Sequence, residues 1–212
     1  NTLINQTTDT SSTSLAFNGP MTRNEIETIT FKSDVMIPST ALFTWDASEK
    51  QNGSVMAYAL DEDQDNLYEL YIGQDEKVVL GSNAASLFAN YNQTSTLDVS
   101  KLDTSNVTDM TAMFVGCNAT EIKGLSTFDT SKVTNMTSMF AGSSVKTLNL
   151  SNFNTSNVTQ MINMFAGTLV SVLDLSSFDI SKVSNMDYMF AGSSATTGYA
   201  RTQEEANIFN RN

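Results

Sequence analysis

The chain has 212 residues and a formal net charge of −12, with no His and a single Cys. A surface this acidic repels phosphate backbones and anionic lipid headgroups, which argues against nucleic acid as a partner. Because the commonest base and metal ligand is missing, one Cys allows no internal disulfide, and no apolar run reaches roughly 18 residues, we predict no cofactor, metal site or membrane insertion.

The N-terminal part of the chain divides into a polar segment and a β-rich segment. Residues 1–20 are rich in Thr, Ser and Asn, show no periodicity and lack a signal-peptide pattern, which predicts a flexible linker. Residues 21–96 predict a β-rich cap. Its expected strands are Ile29–Phe31, Ser54–Leu60, Leu67–Ile72 and Val78–Leu80. The second and third strands flank a polar hexapeptide and are predicted to pair as a hairpin.

The last part of this cap resembles the segments that follow it. The stretch Ala84–Tyr91 is predicted to be helical. Its pair Leu87-Phe88 lies 26 residues before the pair Met113-Phe114, so we interpret it as a degenerate first repeat that covers the next one.

Residues 97–194 contain four near-copies of one sequence, which is the dominant signal in the chain. The copies start with LDTSNVTDM at Leu102, FDTSKVTNM at Phe128, FNTSNVTQM at Phe153 and FDISKVSNM at Phe178, at spacings of 26, 25 and 25 residues. Six positions are identical in all four copies; in the first copy they are Ser105, Val107, Met110, Met113, Phe114 and Gly116.

The spacing of the apolar positions within a copy predicts a short helix. Val107, Met110, Met113 and Phe114 stand at i, i+3, i+6 and i+7, which places them on one helical face. A Ser or Thr upstream suits an N-cap, and Gly116 suits a left-handed C-terminal cap. We expect the methionines to be core side chains and the phenylalanines of successive copies to stack.

A second pattern precedes each helix pattern and predicts a short strand. The alternation L-x-L occurs at Leu148 and Leu150 and again at Leu173 and Leu175, while the second copy is irregular and has one extra residue. One strand and one helix per unit predict an α/β fold, namely a leucine-rich-repeat-like solenoid of about four 25-residue strand-helix units with a β-rich N-terminal cap. Residues 195–212 are predicted to close the array, with a helix over Thr202–Phe209 capped by Thr202.

The repeated F-D-T-S-x-V-T-x-M-x-x-M-F and the preceding L-x-L-S resemble the BspA-like leucine-rich-repeat surface proteins, also called the DUF285 family. The segment around Trp45 and the closing GYARTQEEA are similar to the flanking parts of that family. The resemblance implies an extracellular protein at a bacterial cell surface or cell wall, without catalytic residues. It also implies adhesion to host extracellular matrix or surface proteins of the fibronectin or fibrinogen kind.

Three motifs that suggest other chemistry have simpler interpretations. The D-T-S of Asp103 and Asp129 mimics an aspartic protease signature, but it is a repeat position, and we expect the carboxylates to accept backbone N–H groups at a turn. The acidic run Asp61–Asn66 starts like a calcium loop, but it lacks the required Gly and Glu and is predicted to be a hairpin tip. Cys117 has no His to activate it.

These observations favour a non-enzymatic binding module that presents a repeat surface. The candidate binding residues are the polar side chains of the predicted strands: Asp98, Ser100, Asn149, Ser151, Asp174 and Ser176. The alternative for each of them is a merely solvated strand residue. For the whole protein, the alternative is a structural spacer or stalk of a larger surface protein, although four repeats make a short one.

Overall fold

The computed structural model describes residues 3, 11, 13–17, 19–34 and 36–210. Its strands, in chain order, are β1 (Ile26–Lys32), β2 (Phe43–Asp46), β3 (Met56–Leu60), β4 (Tyr68–Gly73), β5 (Val78–Val79), β6 (Thr96–Asp98), β7 (Leu102–Asp103), β8 (Glu121–Lys123), β9 (Val172–Leu175) and β10 (Thr197–Ala200). The helices are the α-helix α1 (Gln203–Phe209) and two short 3-10 helices, Arg23–Glu25 and Leu125–Thr127.

A mixed six-stranded sheet joins the N-terminal segment to the repeats in the order β2-β3-β4-β1-β6-β8. The predicted hairpin is confirmed, because β3 and β4 pair antiparallel across the acidic turn. β1 then pairs parallel with β4 on one side and with β6 on the other. The remaining strands form two parallel pairs, β5 with β7 and β9 with β10. The cap and the first two copies therefore share one sheet.

The first twenty residues fall partly outside the described part of the chain. The linker predicted there rests on residues 1, 2, 4–10, 12 and 18, about which the structure gives no description. Leu3, Ala16 and Phe17 are buried, and the Phe17 ring lies 6.3 Å from the rings of Phe31 and Phe88. These three side chains belong to the core of the cap.

The predicted α/β leucine-rich-repeat-like solenoid of strand-helix units is wrong. The chain is mostly β-structure, and α1, the single α-helix among the described residues, lies after the last copy. Each copy forms a succession of tight turns where a helix was predicted, and so does the segment Ala84–Tyr91. The L-x-L strand prediction holds for β9, whereas Leu148 and Leu150 lie in an extended segment without an assigned strand.

Backbone geometry explains why helical spacing does not give a helix here. Ala112 and Gly116 have φ values of 54° and 60°, and the equivalent pairs in the other copies are also positive. These left-handed residues interrupt a right-handed helix. The N–H groups of Ala112 and Phe114 donate to Thr137 and Met139 of the next copy, each at 2.8 Å. Alternate N–H groups thus bond between copies instead of four residues back.

The side chains predicted to face the core do so despite the different backbone. Val107, Met110, Met113 and Phe114 are fully buried. The predicted phenylalanine column is confirmed: the Phe114 and Phe140 rings lie 5.3 Å apart and nearly parallel, and Phe165 and Phe190 continue the column at 5.8 and 5.9 Å. Phe88 stacks on Phe114 at 5.3 Å. A second column joins Phe128, Phe153 and Phe178 at 6.4 Å.

The C-terminal helix is confirmed as predicted. α1 spans Gln203–Phe209, and the Thr202 hydroxyl accepts the Glu205 N–H at 3.1 Å while the Glu205 carboxylate accepts the Thr202 N–H, also at 3.1 Å. The Phe209 ring packs edge-on against Phe190 at 5.8 Å. α1 thereby covers part of the last copy. No helix among the described residues is long and apolar enough to span a bilayer.

Candidate functional site

The outward side of the parallel strands forms a continuous polar surface, which we call the strand face. On β6, β8 and β9 the residues that point to the core are buried and the residues between them are exposed or half-buried. The register places Thr30 beside Asp98 and Asp98 beside Lys123. At the far end Asp174 lies beside Tyr199. Each layer of the stack therefore contributes one side chain to a common row.

Three of the predicted binding residues have an additional local role. Asp98 Oδ1 accepts the Ser100 N–H at 2.9 Å, Asn149 Oδ1 accepts the Ser151 N–H at 3.2 Å, and Asp174 Oδ1 accepts the Ser176 N–H at 3.0 Å. These bonds are Asx turns, in which a short polar side chain fixes the chain where the strand ends. Their second oxygen or amide nitrogen stays directed away from the turn.

The electrostatics of these groups follow from the turns. The pKa of Asp174 lies below its ordinary value because the Ser176 hydroxyl and then the Ser176 N–H stabilise the carboxylate. Asp174 is exposed and Asp98 is half-buried. Both side chains are thus held in fixed positions, and the charge of Asp174 faces solvent.

Two residues of the same row escaped sequence reasoning. Lys123 stands between Asp98 and Asn149, where the irregular second copy has no L-x-L pattern to reveal a strand. Tyr199 extends the row past Asp174 with a side chain that is 57% exposed. Stepping by 25 or 26 residues from Asp98 reaches Lys123, Asn149, Asp174 and Tyr199 in turn. The period itself was the signal that could have found them.

The cap extends the strand face with aromatic and acidic groups. Tyr71 lies beside Thr30, and its ring stacks on Tyr58 at 4.9 Å. One strand position away, Glu27 and Glu69 share a hydrogen bond. Burial, that bond and the charge of Glu69 raise the pKa of Glu27 to about 7. This part of the face therefore holds a carboxyl group that titrates near neutrality.

The acidic hairpin tip adds negative charge at the edge of the same region. The carboxylates of Asp61, Asp63 and Asp65 lie within 4.8 Å of one another, and Asp63 and Asp65 are exposed. Asp61 Oδ1 accepts the Asp65 N–H at 3.1 Å, and Asp65 Oδ1 accepts the Leu67 N–H at 2.8 Å. Two of the three carboxylates thus stabilise the turn, as expected for a hairpin tip.

The remaining candidate chemistry is accounted for by local structure. Asp103 Oδ1 and Asp129 Oδ1 accept the N–H groups of Ser105 and Ser131, each at 2.9 Å, which confirms the expected turn role of the D-T-S motif. The Ser131 hydroxyl and N–H lower the pKa of Asp129, so this carboxylate does not hold a proton to share. Burial raises the pKa of the Cys117 thiol to about 11, which disfavours a reactive thiolate.

Comparison with known proteins gives one match. Residues 82–202, more than half of the chain, match the model of a family described as "Mycoplasma protein of unknown function, DUF285". No curated protein and no solved structure matches the chain. The match covers the degenerate segment, all four copies and the start of the closing segment.

Proposed function

The chain belongs to the DUF285 family, and from that premise we propose that it is a non-catalytic binding module that presents its strand face to other proteins. The supporting observation is the row of side chains at one position in successive layers. Asp98 and Lys123 lie beside each other, and Asp174 and Tyr199 continue the same position further along the stack. A regular row on an extended surface suits recognition of another protein better than it suits chemistry on a small substrate.

The non-catalytic part of the proposal rests on the chemistry of the carboxylates. The chain has no His, and the Asp side chains of the repeats accept backbone N–H groups in turns instead of converging on one point. A general acid or base needs a group poised to release or take a proton at the reacting atom. The low pKa of Asp129 and Asp174 does not serve that purpose at neutral pH.

The proposed partners are host matrix or surface proteins of the fibronectin or fibrinogen kind, and the proposed location is the bacterial cell surface or cell wall. Both come from the resemblance to BspA-like proteins. The net charge of −12 supports a partner surface that is basic or polar, since complementary charge speeds encounter and fixes orientation.

A double variant tests this proposal without disturbing the turns. Asp98→Asn with Asp174→Asn removes two charges from the strand face and keeps Oδ1 as the acceptor, as Asn149 does in the intervening layer. We expect binding to immobilised fibronectin or fibrinogen to weaken by about tenfold, or about 1.4 kcal/mol, at unchanged melting temperature.

A matched control removes the same charge elsewhere. Asp109→Asn with Asp129→Asn changes two residues that also form Asx turns and have natural Asn equivalents, Asn135 and Asn154. Binding should be unchanged in this control. Equal loss in both double variants would show that only net charge matters, and a chain that binds neither protein would favour a spacer.

A further inference from the structure

The last strand of the stack lacks the side chains that fill the preceding layer. Gly198 pairs with Leu173 and Ala200 pairs with Leu175, so the two inward leucine positions of β9 are occupied on β10 by a hydrogen and a methyl group. Leu173 and Leu175 are each 3% exposed. The fifth layer thus continues the backbone of the stack without its aliphatic filling.

A cleft of about 290 Å³ lies where those side chains are missing. Its apolar lining includes Leu173, Leu175, Phe190, Ala195, Ala206 and Phe209. A Cβ atom built on Gly198 would meet only the Leu173 carbonyl oxygen, at 3.7 Å, so the space beside this residue is free. The cleft can therefore receive aliphatic side chains.

The backbone at the same end of the stack is also unpaired. Within the described residues β10 has a strand neighbour on one side only, β9. β10 reads TGYA and carries no charged residue and no Pro, the usual means by which a protein protects a sheet edge. An extended chain can therefore pair with this edge.

The turn region of the last copy shows the same open end. In the earlier copies alternate N–H groups donate to carbonyls of the following copy, as Phe165 does to Met189 at 2.8 Å. The equivalent N–H groups of Met186, Tyr188, Phe190 and Gly192 donate to no other group in the described part of the chain. α1 covers Phe190 with a side chain but supplies no carbonyl to these donors.

We infer that the C-terminal end of the stack binds an extended, cationic peptide segment of a partner protein. The segment adds as a strand along the free edge of β10, and two aliphatic side chains at alternate positions enter the cleft. Asp174, exposed beside Tyr199, and Glu204, exposed on α1, favour positive charge on the peptide. This site is separate from the strand-face row proposed above and does not depend on it.

A second copy of the chain fits the same edge poorly. It would bring a net charge of −12 against an equal charge. Its own β10 would offer Gly198 and Ala200, which are too small to fill the cleft. The occupant therefore differs from β10 in having larger side chains at these two positions.

The probe for the test is a fluorescein-labelled, end-blocked peptide with the sequence of residues 145–152, VKTLNLSN. It has alternate leucines, one Lys and no acidic residue. We expect saturable binding to the whole chain by fluorescence anisotropy, and a loss of at least tenfold in affinity when both leucines are replaced by serine.

A variant that fills the cleft separates binding from folding. Gly198→Leu should raise the melting temperature, because its side chain enters the free space over Leu173, and should weaken peptide binding by at least tenfold. Gly81→Leu, which adds the same side chain in open space far along the chain, should leave binding unchanged.

Three results would overturn the inference. They are no saturable binding, equal binding of the serine peptide, and full binding by a folded Gly198→Leu variant. A dimer of the wild-type chain in sedimentation experiments that Gly198→Leu dissociates would show that a second copy is the occupant. Strand-face variants should bind this peptide normally, so failure here and failure of the proposed function are distinguishable.

Discussion

Thr155 holds Asp179 of the next copy through a single buried hydroxyl group. Its Oγ1 accepts the Asp179 N–H at 2.7 Å and donates to the Asp179 carbonyl at 3.0 Å. Thr104 and Thr130 make the same double bond to Asp129 and Asn154. The last copy has Ile180 at this position, where no further copy follows to be bonded. The hydroxyl is therefore present where a next layer exists and absent where it ends.

Replacing one of these threonines should loosen the stack. Thr130→Val keeps the shape of the side chain but leaves the Asn154 N–H and carbonyl without their partner, at an expected cost of about 1–3 kcal/mol in the free energy of unfolding. Urea denaturation measures this. The control is Thr134→Val, whose hydroxyl is exposed and shares the Thr108 carbonyl with its own N–H, and it should cost less than about 0.5 kcal/mol.

A glycine substitution distinguishes the observed turns from a helix. Ala112 has a φ of 54°, a conformation that is strained for alanine by about 1–2 kcal/mol and unstrained for glycine. Ala112→Gly should therefore leave the unfolding free energy unchanged or raise it by up to about 1 kcal/mol. In a helix the same change would lower it by about 1 kcal/mol.

The same substitution one copy later provides the comparison. Ala141 is not among the left-handed residues, so Ala141→Gly gains no relief of strain and should lower the unfolding free energy by about 0.5–1 kcal/mol. Equal destabilisation by both changes would contradict the turn geometry.

The phenylalanine column should be most sensitive in its middle. Phe140 is fully buried between Phe114 and Phe165, so Phe140→Ala should cost about 3–5 kcal/mol. Phe190 is only partly buried at the end of the column, and Phe190→Ala should cost clearly less. Thermal or chemical denaturation of the two variants gives the order, and a reversed order would show that the end layer is as closed as the middle.

Stability should depend on pH through Glu27. Its pKa is raised from 4.5 to about 7, so the folded chain holds this proton more tightly than the unfolded chain does. The contribution is fully present below about pH 4.5 and is lost as the pH rises through 7. Glu27→Gln should flatten the fall in melting temperature over this interval, whereas Glu204→Gln, an exposed change on α1, should retain it.

Sequence reasoning predicted which residues lie inside but not the backbone that puts them there. The identities at Val107, Met110, Met113 and Phe114 showed a buried stripe, and the side chains are buried. Spacings of three and four fit a helical face, but they also fit a series of three-residue turns, such as the bond from the Met113 N–H to the Met110 carbonyl. Periodicity alone cannot separate these cases, because both repeat inward positions at nearly the same interval.

The signals that decide between them come from neighbouring copies. Residues as different as Ala112, Ser138, Asn163 and Tyr188 adopt the same left-handed conformation, so their types gave no warning. The stacking bonds of the backbone impose it. The candidate face was found only in part for a similar reason, since Lys123 sits in a copy whose strand pattern is irregular and only the layer register places it in the row.

Amide hydrogen exchange measured by NMR tests the central claim most directly, namely that alternate N–H groups tie each copy to the next and that the last copy is left open. We predict slow exchange for the N–H groups of Phe114, Phe140 and Phe165 and fast exchange for Phe190 and Tyr188. Uniform protection across all four copies, with helical carbon shifts over residues 107–114, would contradict it.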